Sequence, residues 1–165
     1  MNKKYFLLPL LLLCGCGLFV APQVREFDLQ IKQNPAQGAI RVAAVRNLSN
    51  SGQRFLLRSQ NGVTRDPLNI WTAEPGTLIC NALNSSFRAE RTVPTQVFIC
   101  DVNCFEADTD QLIFRLSGSF RRQGTQETSP FDITVPLENK CAQSIINAAS
   151  AAVEKLAVLL SGSKK

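Results

Sequence analysis

Apolar and polar side chains alternate along three successive segments between residues 98 and 137. The apolar members are Phe98, Cys100, Val102 and Cys104, then Leu112, Phe114, Leu116 and Phe120, then Phe131, Ile133, Val135 and Leu137. A period of two places neighbouring side chains on opposite faces, so each segment predicts a strand with one face on a core. Because only short polar stretches (107–110 and 124–129) join the segments, we expect an antiparallel meander.

Two other segments have helical spacing. Residues 75–90 begin with Pro75, which suits the first turn of a helix, and repeat an apolar residue every four positions at Ile79, Leu83 and Phe87. Residues 140–160 carry an apolar stripe: Ala142, Ile145, Ile146, Ala149, Val153, Leu156 and Leu160. Gln143, Asn147 and Glu154 interrupt this second segment, so we expect it to lie on a sheet and not to cross a bilayer.

Shorter signals complete the fold prediction. Residues 24–31 and 39–46 alternate as strands do, and Asn61-Gly62 within 54–66 predicts a tight hairpin turn at the edge of the sheet. The sequence therefore predicts an α+β fold, a two-layer sandwich in which two helices pack on one face of a mostly antiparallel sheet.

The first sixteen residues have the pattern of a bacterial lipoprotein signal. Lys3 and Lys4 precede an apolar stretch, 5–13, that is too short to span a hydrocarbon core of about 30 Å, and Gly15 is the small residue before Cys16. We predict that 1–15 is removed, that Cys16 carries diacylglycerol and an N-acyl group, that 16–23 is a tether, and that 24–165 is one domain. An ordinary secretory signal is the alternative.

The distribution of charge and the absence of histidine limit the classes of function that the chain can have. The chain has 18 Lys and Arg against 13 Asp and Glu, scattered without a dense basic block, which argues against nucleic acid as a partner. It has no histidine, which excludes a Ser-His-Asp or Cys-His mechanism within the chain and the commonest metal ligand. The acidic group Asp101, Glu106, Asp108 and Asp110 is typical of solubilising turn residues. We therefore expect no enzyme, no metal and no cofactor besides the acyl groups.

Four cysteines remain after Cys16: Cys80, Cys100, Cys104 and Cys141. Export would allow two disulfides, whose pairing the sequence does not give, and buried free thiols are the alternative. On a regular strand Cys100 and Cys104 lie about 13 Å apart, too far to bond each other. A four-cysteine zinc site is a third option, but the spacings lack the close pairs that such sites use.

The predicted acyl cysteine is followed by strands at 24–31 and 40–47, by the run Gly52-Gln53-Arg54-Phe55-Leu56-Leu57-Arg58, and by Trp71-Thr72-Ala73-Glu74-Pro75 leading into a helix. This order of parts resembles the ABC-type transport auxiliary lipoproteins, the family of PqiC-like outer-membrane lipoproteins. The resemblance implies a non-enzymatic component at the periplasmic face of the outer membrane. Its implied partners are an inner-membrane ABC transporter or permease and a protein with mammalian-cell-entry (MCE) domains, and it implies a homo-oligomer such as a ring.

Within this resemblance we expect one interaction surface, and two other functions stay open. The surface comprises Arg54, Phe55, Leu56, Leu57, Arg58 and Trp71, whose apolar members could instead complete the domain's own core. The other functions are a carrier that holds an acyl chain between its helices and sheet, and an outer-membrane assembly or peptidoglycan-synthase-activating lipoprotein.

Overall fold

The computed structural model describes residues 22–31, 40–87 and 96–162. The predicted signal, Cys16 and most of the tether lie outside the described residues. The elements in chain order are β1 (Arg25–Phe27), β2 (Ile40–Asn47), β3 (Arg54–Ser59), β4 (Gly62–Trp71), α1 (Pro75–Ser86), β5 (Gln96–Asp108), β6 (Ile113–Arg122), β7 (Ser129–Pro136) and α2 (Ala142–Gly162).

The seven strands form one mixed sheet, so the prediction of a mostly antiparallel sheet is wrong, although the fold is α+β. Strands follow the order β1-β4-β3-β5-β6-β7, and β2 also pairs with β5. The pairs β1·β4, β2·β5 and β3·β5 are parallel, whereas β3·β4, β5·β6 and β6·β7 are antiparallel.

Two of the three parallel pairs involve β5. Strands β2 and β3 lie one after the other along the same edge of β5, and both run parallel to it. Asn47 ends the first register opposite Val102, and Leu57 resumes pairing opposite Ala107. The loop between β2 and β3 does not reverse the chain, because the Asn47 side chain hydrogen-bonds Ser49 and Ser51 and holds the loop against its own strand. Strand β4 and helix α1 together form the long connection between the parallel strands β3 and β5, since β4 itself runs antiparallel to β5.

The turns that were predicted from local sequence are confirmed, unlike the predicted mostly antiparallel sheet. The hairpin at Asn61-Gly62 is confirmed: Ser59 pairs with Gly62, whose φ of +105° favours glycine. The meander β5-β6-β7 is also confirmed. The hairpin lies at the edge of the sheet, as predicted, because β1 pairs only with the last residues of β4, Asn69 to Trp71.

A bulge in β5 changes which side chains enter the core. Register shifts between Val102 and Cys104, so the alternation restarts one residue later. Phe105 is consequently buried in the core, whereas Cys104, which a regular alternation would place beside Cys100, lies on the opposite face.

Both helices contribute to one core cluster with the inward strand residues. Helix α1 supplies Leu78, Ile79 and Leu83, and α2 supplies Ile146, Ala149, Val153 and Leu156. Helix α2 contacts β6, β7 and α1. It is long and apolar enough to cross a membrane by composition, but more than half of that stretch is buried within the fold, as expected for a helix lying on the sheet.

Helix α1 also closes the outer edge of β2. The Asn84 side chain accepts a hydrogen bond from Val42 N (2.9 Å) and donates one to Val42 O (2.9 Å), so its amide substitutes for a neighbouring strand. One face of the helix lies so near β2 that a Cβ on Gly76 would be 2.6 Å from Val45 O.

We predict that Gly76→Ala lowers the free energy of unfolding by about 1–3 kcal/mol, although alanine is the better helix former. The added Cβ would meet backbone that cannot move without breaking the β2·β5 ladder. Gly162→Ala is the matched control, because a Cβ there meets nothing within 4 Å. Chemical denaturation of both variants makes the comparison, and equal stability would contradict this packing.

Candidate interaction surfaces

The largest apolar members of the surface predicted at 54–58 and Trp71 lie in the core. Trp71 is 1% exposed and Phe55 is equally buried. Their rings join a row of aromatic contacts, with centroid distances of 5.7 Å for Phe27–Phe55, 4.2 Å for Phe55–Trp71 and 5.3 Å for Trp71–Phe105. Of the two interpretations open from the sequence, the structure places these two side chains in the domain's own core.

The remaining residues of that run divide between the two faces of β3. Leu57 packs against the core, whereas Leu56 and Arg58 alternate to the opposite face, where Leu56 is also buried. Arg58 forms a two-point ion pair with Glu106, with Nε–Oε1 at 2.5 Å and Nη2–Oε2 at 3.3 Å. Arg54 is exposed and its Nη1 binds the carbonyls of Asp66 and Pro67. The six residues therefore do not form one continuous exposed surface.

The Arg58–Glu106 pair is the most buried electrostatic contact in the described part of the chain. Glu106 is only 5% exposed, and its hydrogen bond to the guanidinium raises the pKa of Arg58. A carboxylate this buried needs such a partner, since desolvation of an unpaired charge costs several kcal/mol. The pair therefore fixes β3 against β5 and leaves neither group free for chemistry.

The other members of the acidic group have structural partners too. Asp101 binds Arg46 through both carboxylate oxygens at 2.5 Å. Asp108 accepts hydrogen bonds from Asp110 N and Gln111 N in the β5–β6 turn, and Asp110 in turn accepts one from Gln60 N of the β3–β4 turn. These carboxylates thus order two neighbouring turns, and no group of three or more potential ligands among residues 22–31, 40–87 and 96–162 is placed to hold a metal.

The four cysteines of the domain are free thiols in different surroundings. Cys100 is fully buried, and burial raises its pKa to about 12. Burial, together with the neighbouring Glu106, also raises the pKa of Cys104 to about 12. Cys80 lies at the β2 edge, 3.6 Å from Val42 O, and Cys141 is exposed. The free-thiol alternative therefore describes this structure, and the possible disulfides are not formed in it.

The solvent side of the two helices carries almost no charge. Helix α1 contains no Asp, Glu, Lys or Arg, and α2 contains only Glu154 and Lys155. We call the outward side of these helices the helix surface; its exposed members are Thr77, Asn81, Ser85, Gln143, Asn147, Lys155, Val158, Leu159 and Gly162. Sequence reasoning missed this surface, although the absence of charge from residues 75–86 was visible in the sequence.

An extended segment, 28–31, crosses the helix surface between α1 and α2. Gln30 N donates to Ser150 Oγ at 2.9 Å, and Leu29 and Ile31 pack against the core. A groove of about 380 Å³ lies on the α1 side of the segment and one of about 270 Å³ on the α2 side. Asn81 lines the first and Asn147 the second.

Charged side chains are concentrated on the other face of the sheet. The ion pairs Arg46–Asp101, Arg58–Glu106 and Arg115–Asp132 all lie there, where the described residues place no helix. Burying an ion in an interface costs several kcal/mol, whereas a neutral amide or hydroxyl can be satisfied by a hydrogen bond from a partner. The helix surface is therefore the face that another protein can cover at lower cost.

Comparison with solved structures shows the same fold. One relative, an uncharacterized protein known from its crystal structure, has a TM-score of 0.67 at 12% identity and covers 84% of this chain and 97% of its own. Protein XCC0632 from Xanthomonas campestris, of the DUF330 family, has a TM-score of 0.63 at 14% identity and covers 85% and 93%. No protein-family model and no curated protein matches the sequence. At these identities the likeness concerns the fold alone.

We predict that iodoacetamide at pH 8 alkylates Cys141 rapidly and leaves Cys100 and Cys104 unmodified in the folded domain. A thiol whose pKa is about 12 is ionised at pH 8 in about one molecule in ten thousand, and only the thiolate reacts. Peptide mass spectrometry gives the order of labelling, with urea-unfolded protein as the control in which all four react. Rapid labelling of Cys100 in folded protein would contradict the packing of β5.

Proposed function

We propose that the chain is a non-enzymatic, lipid-anchored component of an ABC/MCE-type lipid transport system that docks the trans-envelope complex at the periplasmic face of the outer membrane. The lipoprotein signal ending at Cys16 and the family resemblance of the sequence support the location and the class of partner. The observation that carries the docking role is the helix surface with its two grooves, which are lined by uncharged side chains except for Asp28 in the first and Glu154 in the second.

The helix surface shares one property with the centre of a protein interface, its shortage of charged side chains. Charged residues are depleted from interface centres because their desolvation is costly, whereas amides and hydroxyls supply hydrogen bonds. Asn81 and Asn147 each line a groove, so a partner side chain that enters a groove meets an amide there. A second copy of the chain or an MCE-domain protein would find the same low desolvation cost.

The proposed anchor limits where this surface can act. Eight tether residues, 16–23, span at most about 29 Å when fully extended, so the domain would stay within that distance of the bilayer. Two or more acyl chains make such an anchor stable, because each buried CH₂ contributes about 0.8 kcal/mol. The anchor would thus fix the docking surface at one membrane.

We predict that Asn81→Arg and Asn147→Arg each reduce recovery of the MCE-domain protein and ABC permease with the acylated chain at least tenfold, about 1.4 kcal/mol or more. The added guanidinium must be desolvated in the interface. Gln126→Arg is the matched control, since this exposed amide lies in the β6–β7 turn away from both helices.

The envelope extract should be quantified by mass spectrometry with all three variants at equal folded amounts. Size-exclusion chromatography of the same samples separates loss of self-association from loss of the transport partners. Unchanged recovery with both helix variants, or an equal loss with Gln126→Arg, would rule out the helix surface as the docking site.

A lipid-binding carrier is the second candidate, favoured by the groove of about 380 Å³ beside α1. That volume is in the range of small-ligand pockets, and Leu29, Ile31 and Leu78 give it an apolar side. This function predicts that acyl-free protein purifies with about one lipid per chain. Protein that purifies without lipid would contradict the carrier function and leave the docking function intact.

A further inference from the structure

We propose that the outer edge of the sheet, formed by β4 and the start of β1, lies on an anionic lipid surface. We call it the β4 edge and define it by Val24, Arg25, Val63, Arg65 and Leu68. The inference rests on the proposed acyl anchor for its location, but the surface itself is defined by described residues. The β4 edge would be a second contact with the membrane, in addition to the proposed covalent acyl anchor.

Exposed apolar side chains mark this edge. Val24 is 53% exposed, Val63 44% and Leu68 37%. Val24 and Leu68 each directly precede the registered pair Arg25↔Asn69, so the parallel register makes them neighbours. Single exposed apolar residues are ordinary on protein surfaces, but here three of them follow one strand edge beside basic residues.

The β4 edge is available because β1 pairs with only the last residues of β4. The registered partners are Asn69, Ile70 and Trp71, and among the described residues no strand pairs with the outer side of 62–68. At the bulge that follows, Asp66 Oδ1 accepts hydrogen bonds from Leu68 N and Asn69 N. This turn leaves the Leu68 side chain exposed.

The charges on this edge suit phosphate-bearing headgroups. Arg25, Arg54 and Arg65 are all exposed here, and Arg65 also donates a hydrogen bond to Asn50 O (2.7 Å), as Arg54 does to the carbonyls of Asp66 and Pro67. Two carboxylates, Asp66 and Glu26, lie beside them, and Asp66 is engaged by its own turn through Leu68, Asn69 and the Asn69 side chain. Basic residues next to exposed apolar ones are the composition of segments that bind at the surface of anionic bilayers.

The path of the chain brings the anchor to the same place. Because β1 runs parallel to β4, residues 22–24 enter β1 from the side of the β3–β4 turn. Five residues, 17–21, separate Cys16 from Pro22, and the six steps from Cys16 to Pro22 span at most about 22 Å. An acyl group on Cys16 would therefore hold this edge, before any other part of the sheet, close to the bilayer.

The test uses the mature chain, 16–165, with Cys16→Ser and an N-terminal histidine tag bound to nickel-chelating lipid. Hydrogen exchange is measured on phosphatidylglycerol vesicles and on phosphatidylcholine vesicles. We expect amides of 62–68 to exchange at least about fivefold more slowly on phosphatidylglycerol vesicles, with the β6–β7 turn unchanged.

Variants show whether these side chains are responsible. Val63→Ser with Leu68→Ser should weaken binding of the untethered chain to phosphatidylglycerol vesicles about tenfold, since two partly inserted apolar side chains are lost. Leu48→Ser with Leu112→Ser, two apolar positions elsewhere that are 55% and 37% exposed, is the matched control. Arg25→Gln with Arg65→Gln should abolish the preference for phosphatidylglycerol, and Arg41→Gln with Arg121→Gln should keep it.

Protection in α1 or α2 in place of 62–68, equal exchange on both vesicles, or equal loss with the control pairs would overturn the proposal. The histidine tag replaces the acyl group, so these results do not depend on whether Cys16 is modified or whether a transport partner binds. Failure of the proposed function and failure of this inference are therefore distinguishable.

Discussion

The structure depends on β5 being paired along both of its edges. Strands β2 and β3 occupy one edge in turn, and β6 occupies the other along almost the whole length of β5. The inward residues of β5, Phe98, Cys100 and Phe105, belong to the core on which both helices pack. On the outward face, Glu106 of β5 forms an ion pair with Arg58 of β3. Because this strand is bound on every side, the two surfaces that we assign to partners are built from elements around it.

The features that depend on residues close together in the sequence were predicted correctly. The turn at Asn61-Gly62, the meander of β5 to β7 and both helices follow from local spacing. Strand direction does not follow from local spacing, because apolar and polar residues alternate in the same way in parallel and antiparallel strands. In addition, β2 pairs with a strand that lies about fifty residues further along the chain. The bulge at Val102/Cys104 was also missed, although Phe105, an apolar residue out of phase with Cys104, was its signal.

The candidate site was harder to predict than the fold. For Phe55 and Trp71 the sequence left two interpretations open, an interaction surface or the domain's own core, and both side chains lie in the core, because alternation along β3 divides the run 54–58 between the core and the outer face. The helix surface is defined by a shortage of charged residues. The segments that form it and its grooves, 28–31, α1 and α2, are far apart in sequence. Which neutral side chains face outward together follows only from the packed structure.

The proposed docking role at one membrane requires that the acyl anchor exist. The most direct measurement is the intact mass of the chain extracted from the cell envelope. The account predicts the mass of residues 16–165 plus diacylglycerol and an amide-linked acyl chain, recovered in the outer-membrane fraction. A freely soluble chain whose Cys16 is unmodified or absent would contradict it.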